Sequence, residues 1–158
     1  MTARDATEAV ATEAPVERYL AAFVMGIANR LNNGASSYYR RHFGFGMSEW
    51  RAMMAIGAAN EAIVREVAEK ADLDHAAASK SVRLLQERGL VSIEQTSRRG
   101  RAAIVRLTPE GAEVHKKLRD ASRRRQKRLL AAFSPEEAEQ LWALLRRLKA
   151  QVPHMNSD

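Results

Sequence analysis

A mainly α-helical fold carrying one small β-hairpin is predicted by three features of this sequence. Apolar residues recur at spacings of three and four toward both ends: Val16, Tyr19, Leu20, Phe23, Val24, Ile27, Ala28 and Leu31 early, and Leu141, Trp142, Leu144, Leu145 and Leu148 late. Helix start and stop residues punctuate what lies between, with Asp74, Thr108 and Ser134 ahead of helical runs and Gly44, Gly46 and Gly89 behind them. Two stretches, Leu90-Val91-Ser92-Ile93-Glu94 and Ala103-Ile104-Val105-Arg106-Leu107, partly alternate apolar and polar character about a polar loop, as the arms of a hairpin do.

Composition narrows the function classes. With 158 residues, 46% of them hydrophobic, the chain can bury a core as one domain without crosslinks. The absence of cysteine excludes thiolate redox sensing and cysteine-liganded zinc and suits a reducing compartment. No run approaches the ~18 apolar residues of a membrane span, and residues 1–14 have no apolar signal core, so a cytoplasmic protein without a membrane partner is expected. The four histidines (His42, His75, His115, His154) are dispersed, and no phosphate loop, nucleophile elbow or zinc-spaced pair occurs. No catalytic residue, metal or cofactor is therefore assigned. The net charge of +7 and pI near 10.2 favour a polyanionic partner.

Taken in order, residues 1–14 lack apolar periodicity and are expected to form a flexible tail. Pro15 suits a first turn, and the early apolar stripe predicts a long helix that runs through Tyr38, Tyr39 and Arg40 and breaks at Gly44-Phe45-Gly46. Ser48 is placed to cap a second helix, Glu49 to about Ala59, with Trp50, Met53, Met54 and Gly57 inward. A third covers about residues 64–71, Val67, Ala68 and Ala71 facing inward, and Asp72-Leu73-Asp74 links it tightly to a fourth.

That fourth helix is bounded by Asp74 as cap and Gly89 as left-handed stop. Ala78, Val82 and Leu85 share one stripe, whereas Ala76, Ser79, Lys80, Arg83 and Glu87 face away from the core. The outward face starts at His75 and Ala76 with small residues, which let a helix sink into a groove, and Lys80 and Arg83 can then reach phosphates or guanine edges. Two short helices about a tight turn form a helix-turn-helix, and the fourth is its recognition helix. The hairpin that follows is a wing. Its loop, Gln95-Thr96-Ser97-Arg98-Arg99-Gly100-Arg101, offers Arg98, Arg99 and Arg101 to a minor groove or to phosphates.

Thr108 caps a fifth helix with Pro109 in its first position, running to about Phe133. It carries Lys116, Lys117, Arg119, Arg123, Arg124, Arg125, Lys127 and Arg128, with Asp120 the acidic residue inside that run. Ser134, Pro135, Glu136 and Glu137 open the last helix by the same cap logic. The first, fifth and last helices are too apolar to stand alone. A homodimer would cover them and would set two recognition helices about one helical turn (~34 Å) apart on double-stranded DNA, so the expected partner is a palindromic operator. The expected organisation is a tail (1–14), an N-terminal dimerisation helix (15–46), a winged helix-turn-helix (47–108) and C-terminal dimerisation helices (109–158). A winged module whose basic helix binds an acidic protein is the alternative, since fold alone does not name a partner.

The order of parts, with Met47-Ser48-Glu49-Trp50-Arg51, the run from Ala78 through Gly89 to Val91, the wing, and Leu107-Thr108-Pro109-Glu110-Gly111, resembles the MarR family of winged helix-turn-helix regulators, over about residues 15–152. The resemblance implies a homodimer with interlocked terminal helices, and often a small aromatic effector that relieves repression. It also implies that Ser79, Lys80 and Arg83 read bases and phosphates and that Arg98 and Arg101 act from the wing. One departure stands out: Thr96 and Arg99 occupy positions where the family commonly has acidic residues bracing the hairpin. The family's effector cavity, transferred by position, offers Tyr38, Tyr39, His42, Trp50, Arg51 and Met54, aromatic walls with one cation, as suits a planar carboxylate.

Overall fold

The structure, a computed structural model, describes residues 19–95 and 103–157. Along them run α1 (Leu20–Phe43), α2 (Met47–Ala59), β1 (Glu61–Ile63), α3 (Val64–Ala71), α4 (His75–Glu87), β2 (Val91–Gln95), β3 (Ala103–Leu107), α5 (Pro109–Leu129) and α6 (Pro135–Met155). The fold is mainly helical with a winged helix-turn-helix at its centre. Two compact units divide the chain where the sequence suggested one domain; the first ends at Ala112 and the second begins at Glu113, inside α5.

In the first unit α2, α3 and α4 enclose Met53, Ile56, Val67, Val82 and Leu85, each essentially without solvent contact, and Val105 of the sheet joins them. α1 starts at Leu20 after an extended Tyr19, later than Pro15, and residues 15–18 lie outside the described residues together with the expected tail. It ends as expected at Gly44, whose φ of 70° is the left-handed conformation glycine tolerates best. α2 differs from expectation at its start. Gly46, not Ser48, is the N-cap, and its N–H donates to Glu49 Oε2 at 2.7 Å. The inward stripe of α2 is Ala52, Met53, Ala55 and Ile56, while Trp50, Met54 and Gly57 are half-buried. α3 matches the pattern, with Val67, Ala68 and Ala71 buried and Asp72 left-handed at φ 49° where the chain turns into α4.

The hairpin belongs to a larger sheet. β3 lies in the middle of the order β1-β3-β2, antiparallel to both neighbours. β1 pairs Glu61 with Arg106, Ala62 with Val105 and Ile63 with Ile104, and Ala62 is fully buried. Three residues carry no readable alternation, so this strand exists only by virtue of its partner.

In the second unit the buried positions of α5 are Leu118 and Ala121. α5 stops at Leu129, and Phe133 lies in the connection that follows, whose N–H reaches the Leu130 carbonyl at 3.0 Å. Ser134 then caps α6 reciprocally: its Oγ accepts from Glu137 N–H at 3.2 Å, and its own N–H donates to Glu137 Oε2 at 2.8 Å. No residue of α6 is buried.

His115, half-buried on α5, has its imidazole pKa lowered, first by burial and then by the charge of Arg119. The folded chain therefore holds it neutral more firmly than the unfolded chain does. The sign is that of a depressed pKa: stability is full above the unfolded value of about 6.5 and falls as pH drops through the folded one. His115→Gln is expected to flatten the melting temperature between about pH 7 and 5, read by thermal denaturation across that window. A variant losing stability as steeply as the parent would contradict this.

Candidate nucleic-acid interface

The proposed reading element is α4. Asp74 Oδ1 accepts from Ala77 N–H at 2.7 Å, which fixes the first turn, and Gly89 at φ 70° closes the helix. Ala78, Ser81, Val82 and Leu85 are buried in the winged domain. On the far side His75, Ala76, Lys80 and Arg83 are exposed and Ser79 is half-buried, so all five expected readers lie on the side that can meet a groove. Among the described residues the ion pairs involve other cations, leaving Lys80 and Arg83 available to an anionic partner.

Arg88, which sequence reasoning passed over, anchors the C-terminal end of this element. Its guanidinium donates to the Gly44 carbonyl and to the Phe43 carbonyl, both at 3.0 Å, and lies 4.3 Å above the Phe45 ring. A cation here satisfies orphan carbonyls at the negative end of α1. The recognition helix is thereby tied to the first helix across 44 residues of sequence, a pairing with no local signal.

The wing has a brace at its base. Arg106 on β3 donates to Glu61 Oε2 of β1 at 2.9 Å and to Glu94 Oε2 of β2 at 2.6 Å, spanning all three strands. Hydrogen bonds to Glu61 and then Glu94 raise the guanidinium pKa further. The loop beyond, with Arg98, Arg99 and Arg101 and the departures at Thr96 and Arg99, lies outside the described residues. Because these charges are exposed, Arg106→Gln is expected to leave the melting temperature almost unchanged while amide exchange across β2 and β3 accelerates. Unaltered exchange would show that the brace is idle.

Of the six residues set aside for an effector, Tyr38, Tyr39, His42 and Trp50 come together. Tyr39 is 2% exposed and stacks on Trp50, with ring centroids 5.2 Å apart. Tyr38 meets Tyr39 edge-on at 5.4 Å and His42 at 4.5 Å. Arg51 points elsewhere, toward the Asp72 carbonyl at 3.5 Å, and Met54 is half-buried. A hollow of about 350 Å³ lies beside Arg40, Glu49 and Arg88, and none of the six residues lines it.

Comparison with known proteins bears on this geometry directly. A family model described as the MarR family matches residues 43–102, the helix-turn-helix and wing. A crystal structure of a MarR/EmrR family transcriptional regulator from Acinetobacter sp. ADP1 is 30% identical, covers 89% of this chain and 99% of its own, and superposes with a TM-score of 0.82. The chain belongs to the MarR family. YdgJ of Bacillus subtilis (strain 168), an uncharacterized HTH-type transcriptional regulator, is 25% identical over 114 residues, 72% of this chain and 70% of its own. The PcaV transcriptional regulator from Streptomyces coelicolor shares the fold, at 22% identity, TM-score 0.74 and coverage of 89% and 99%. Membership makes this MarR-family chain a DNA-binding transcriptional regulator and not an enzyme. No helix among the described residues is long and apolar enough to cross a membrane.

Proposed function

We propose that this regulator is a cytoplasmic homodimeric repressor that grips an inverted-repeat operator and releases it when a small aromatic acid binds. The observation that carries the reading is the start of α4: a capped helix whose core side is packed while His75, Ala76, Ser79, Lys80 and Arg83 are presented outward. Small residues allow close approach to the groove floor, Lys80 and Arg83 supply phosphate and guanine contacts, and Arg98, Arg99 and Arg101 extend the grip from the wing.

The two-fold partner accounts for the apolar surface. Phe23, Ile27 and Leu31 of α1, and Trp142, Leu144 and Leu145 of α6, are all exposed. Each square ångström of such surface removed from water stabilises a dimer by about 25 cal/mol, before the entropy of association. Residues 15–46 and 109–158 serve as the dimerisation regions in this reading, and a C2 copy would present two recognition helices to one face of a duplex.

The effector half rests on Tyr38, Tyr39, His42, Trp50, Arg51 and Met54, with rings to cover a planar ligand and a guanidinium to pair its carboxylate. PcaV, solved in complex with its natural ligand, supports a ligand-responsive regulator on this fold.

Selection from a random duplex pool tests the DNA half. The expected product is an inverted repeat whose half-sites lie about 10 base pairs apart, bound by two chains. No enrichment, with a monomer in solution, would end this reading and favour an acidic protein partner. A panel of benzoates tests the other half: one is expected to raise the melting temperature and dissociate the selected duplex. A panel without effect removes the aromatic-acid effector.

A further inference from the structure

Most of the charge surplus sits away from the recognition helix. Residues 113–129 of α5 carry eight basic side chains against two acidic ones, a surplus of six in a chain whose formal net charge is +7. α4 between His75 and Glu87 has a surplus of one. The attraction to polyanions that the composition announces therefore resides on α5.

The cations form a continuous ridge. At 100° per residue, Lys116, Arg123 and Lys127 fall within about 40° of one another, and Lys117, Arg124 and Arg128 make a second row beside them. All six are exposed, and Leu118 and Ala121 on the opposite side are buried. The rows run for about 18 Å, a length over which a duplex presents roughly ten phosphate charges. Arg123 approaches Asp120 at 3.8 Å, a solvent-exposed pair too weak to occupy the ridge.

Helix strength does not account for this arrangement. Arg119 and Arg123, Arg123 and Lys127, and Arg124 and Arg128 are each four apart, and like charges at that spacing weaken a helix. A polyanion laid along the ridge would supply the missing countercharge. The chemistry selects among polyanions. No Phe, Tyr or Trp occurs between residues 113 and 129, so there is no platform on which unpaired bases could stack. The apolar side is buried, so it is withheld from a lipid surface. Lysine and arginine without aromatic neighbours suit backbone phosphates of any sequence.

We propose that the exposed side of α5 is a second, sequence-independent docking surface for the phosphate backbone of duplex DNA. It rests on the DNA-binding reading above and adds to it an interaction that contributes affinity without specificity. The test uses the full chain with Arg119→Gln, Arg123→Gln, Arg124→Gln and Lys127→Gln combined. Removing like-charge repulsion should preserve the melting temperature. If this variant does not fold, Arg123→Gln with Lys127→Gln takes its place.

Binding is measured on a random-sequence duplex of about 40 base pairs and on the selected duplex, between about 50 and 200 mM salt. The ridge variant is expected to weaken on both duplexes by a similar factor, keeping their ratio, with a salt slope shallower by up to about 0.9 for each phosphate that is no longer neutralised. Arg83→Ala should behave oppositely, losing the ratio and keeping most of the slope. Parental affinity and slope in the ridge variant, while the parent binds DNA, would overturn the ridge proposal alone. A parent that binds neither duplex would overturn both it and the proposed function.

Discussion

Gly111→Ala is expected to destabilise the chain by at least about 3 kcal/mol, the upper end of overpacking costs, and to lower the melting temperature by roughly 10 °C. A methyl group at Gly111 would stand 1.9 Å from the Leu90 carbonyl oxygen and 2.8 Å from its carbon. Both are backbone atoms, so no side-chain rotation relieves the overlap. Moving Leu90 is also costly, because it is 4% exposed, its N–H bonds to the Leu85 carbonyl at 2.9 Å, and its carbonyl accepts from Thr108 N–H at 3.1 Å. The collision falls where the end of α4, the start of β2 and the first turn of α5 meet. Thr108 reinforces that junction by donating to the Gly89 carbonyl at 2.7 Å and accepting from Gly111 N–H at 3.0 Å. Gly89→Ala makes a useful control. Its φ is 70° but nothing lies within 4 Å of the added carbon, so the penalty is left-handed strain alone, about 1–2 kcal/mol. Thermal denaturation of both variants decides the matter, and a Gly111→Ala protein melting with the parent would refute the close approach.

The second large effect concerns recognition. Arg83→Ala is expected to reduce preference for the selected duplex over random duplex by about 10- to 100-fold per half-site, the worth of one good base contact of roughly 1–3 kcal/mol. Arg83 is exposed on the outward side of α4 and contributes nothing to the packed side, so the melting temperature should not move. This separates loss of reading from loss of folding. Competition binding with the two duplexes gives the ratio directly; a preserved ratio would remove Arg83 from the set of base readers.

These predictions differ in how far the sequence alone could reach them. α3, α4 and the two arms of the hairpin were legible, as were the caps at Asp74, Thr108 and Ser134, because each is decided by residues within a turn or two. The outward placement of Ala76, Ser79, Lys80 and Arg83 followed from helical period, since Ala78, Val82 and Leu85 claim the other side. Gly46 displaced Ser48 as the cap of α2 because Gly46 N–H pairs with Glu49, a choice between two local registers that composition leaves open. The aromatic group was half legible: the i,i+4 neighbours Tyr38 and His42 are local, whereas the stacking of Tyr39 on Trp50 needs the turn at Gly44 to bring α2 back against α1.

By itself the sequence determined the helices, their caps and the side of α4 that meets solvent, all governed by periodicity and by hydrogen bonds spanning three or four residues. Only the tertiary structure decided that residues 61–63 form a strand, that Arg106 bridges Glu61 and Glu94, that Arg88 closes the end of α1, and that Gly111 must lack a side chain. Each of those joins groups about 12 to 45 positions apart, brought within a few ångströms by collapse of the core, and local spacing holds no record of such meetings.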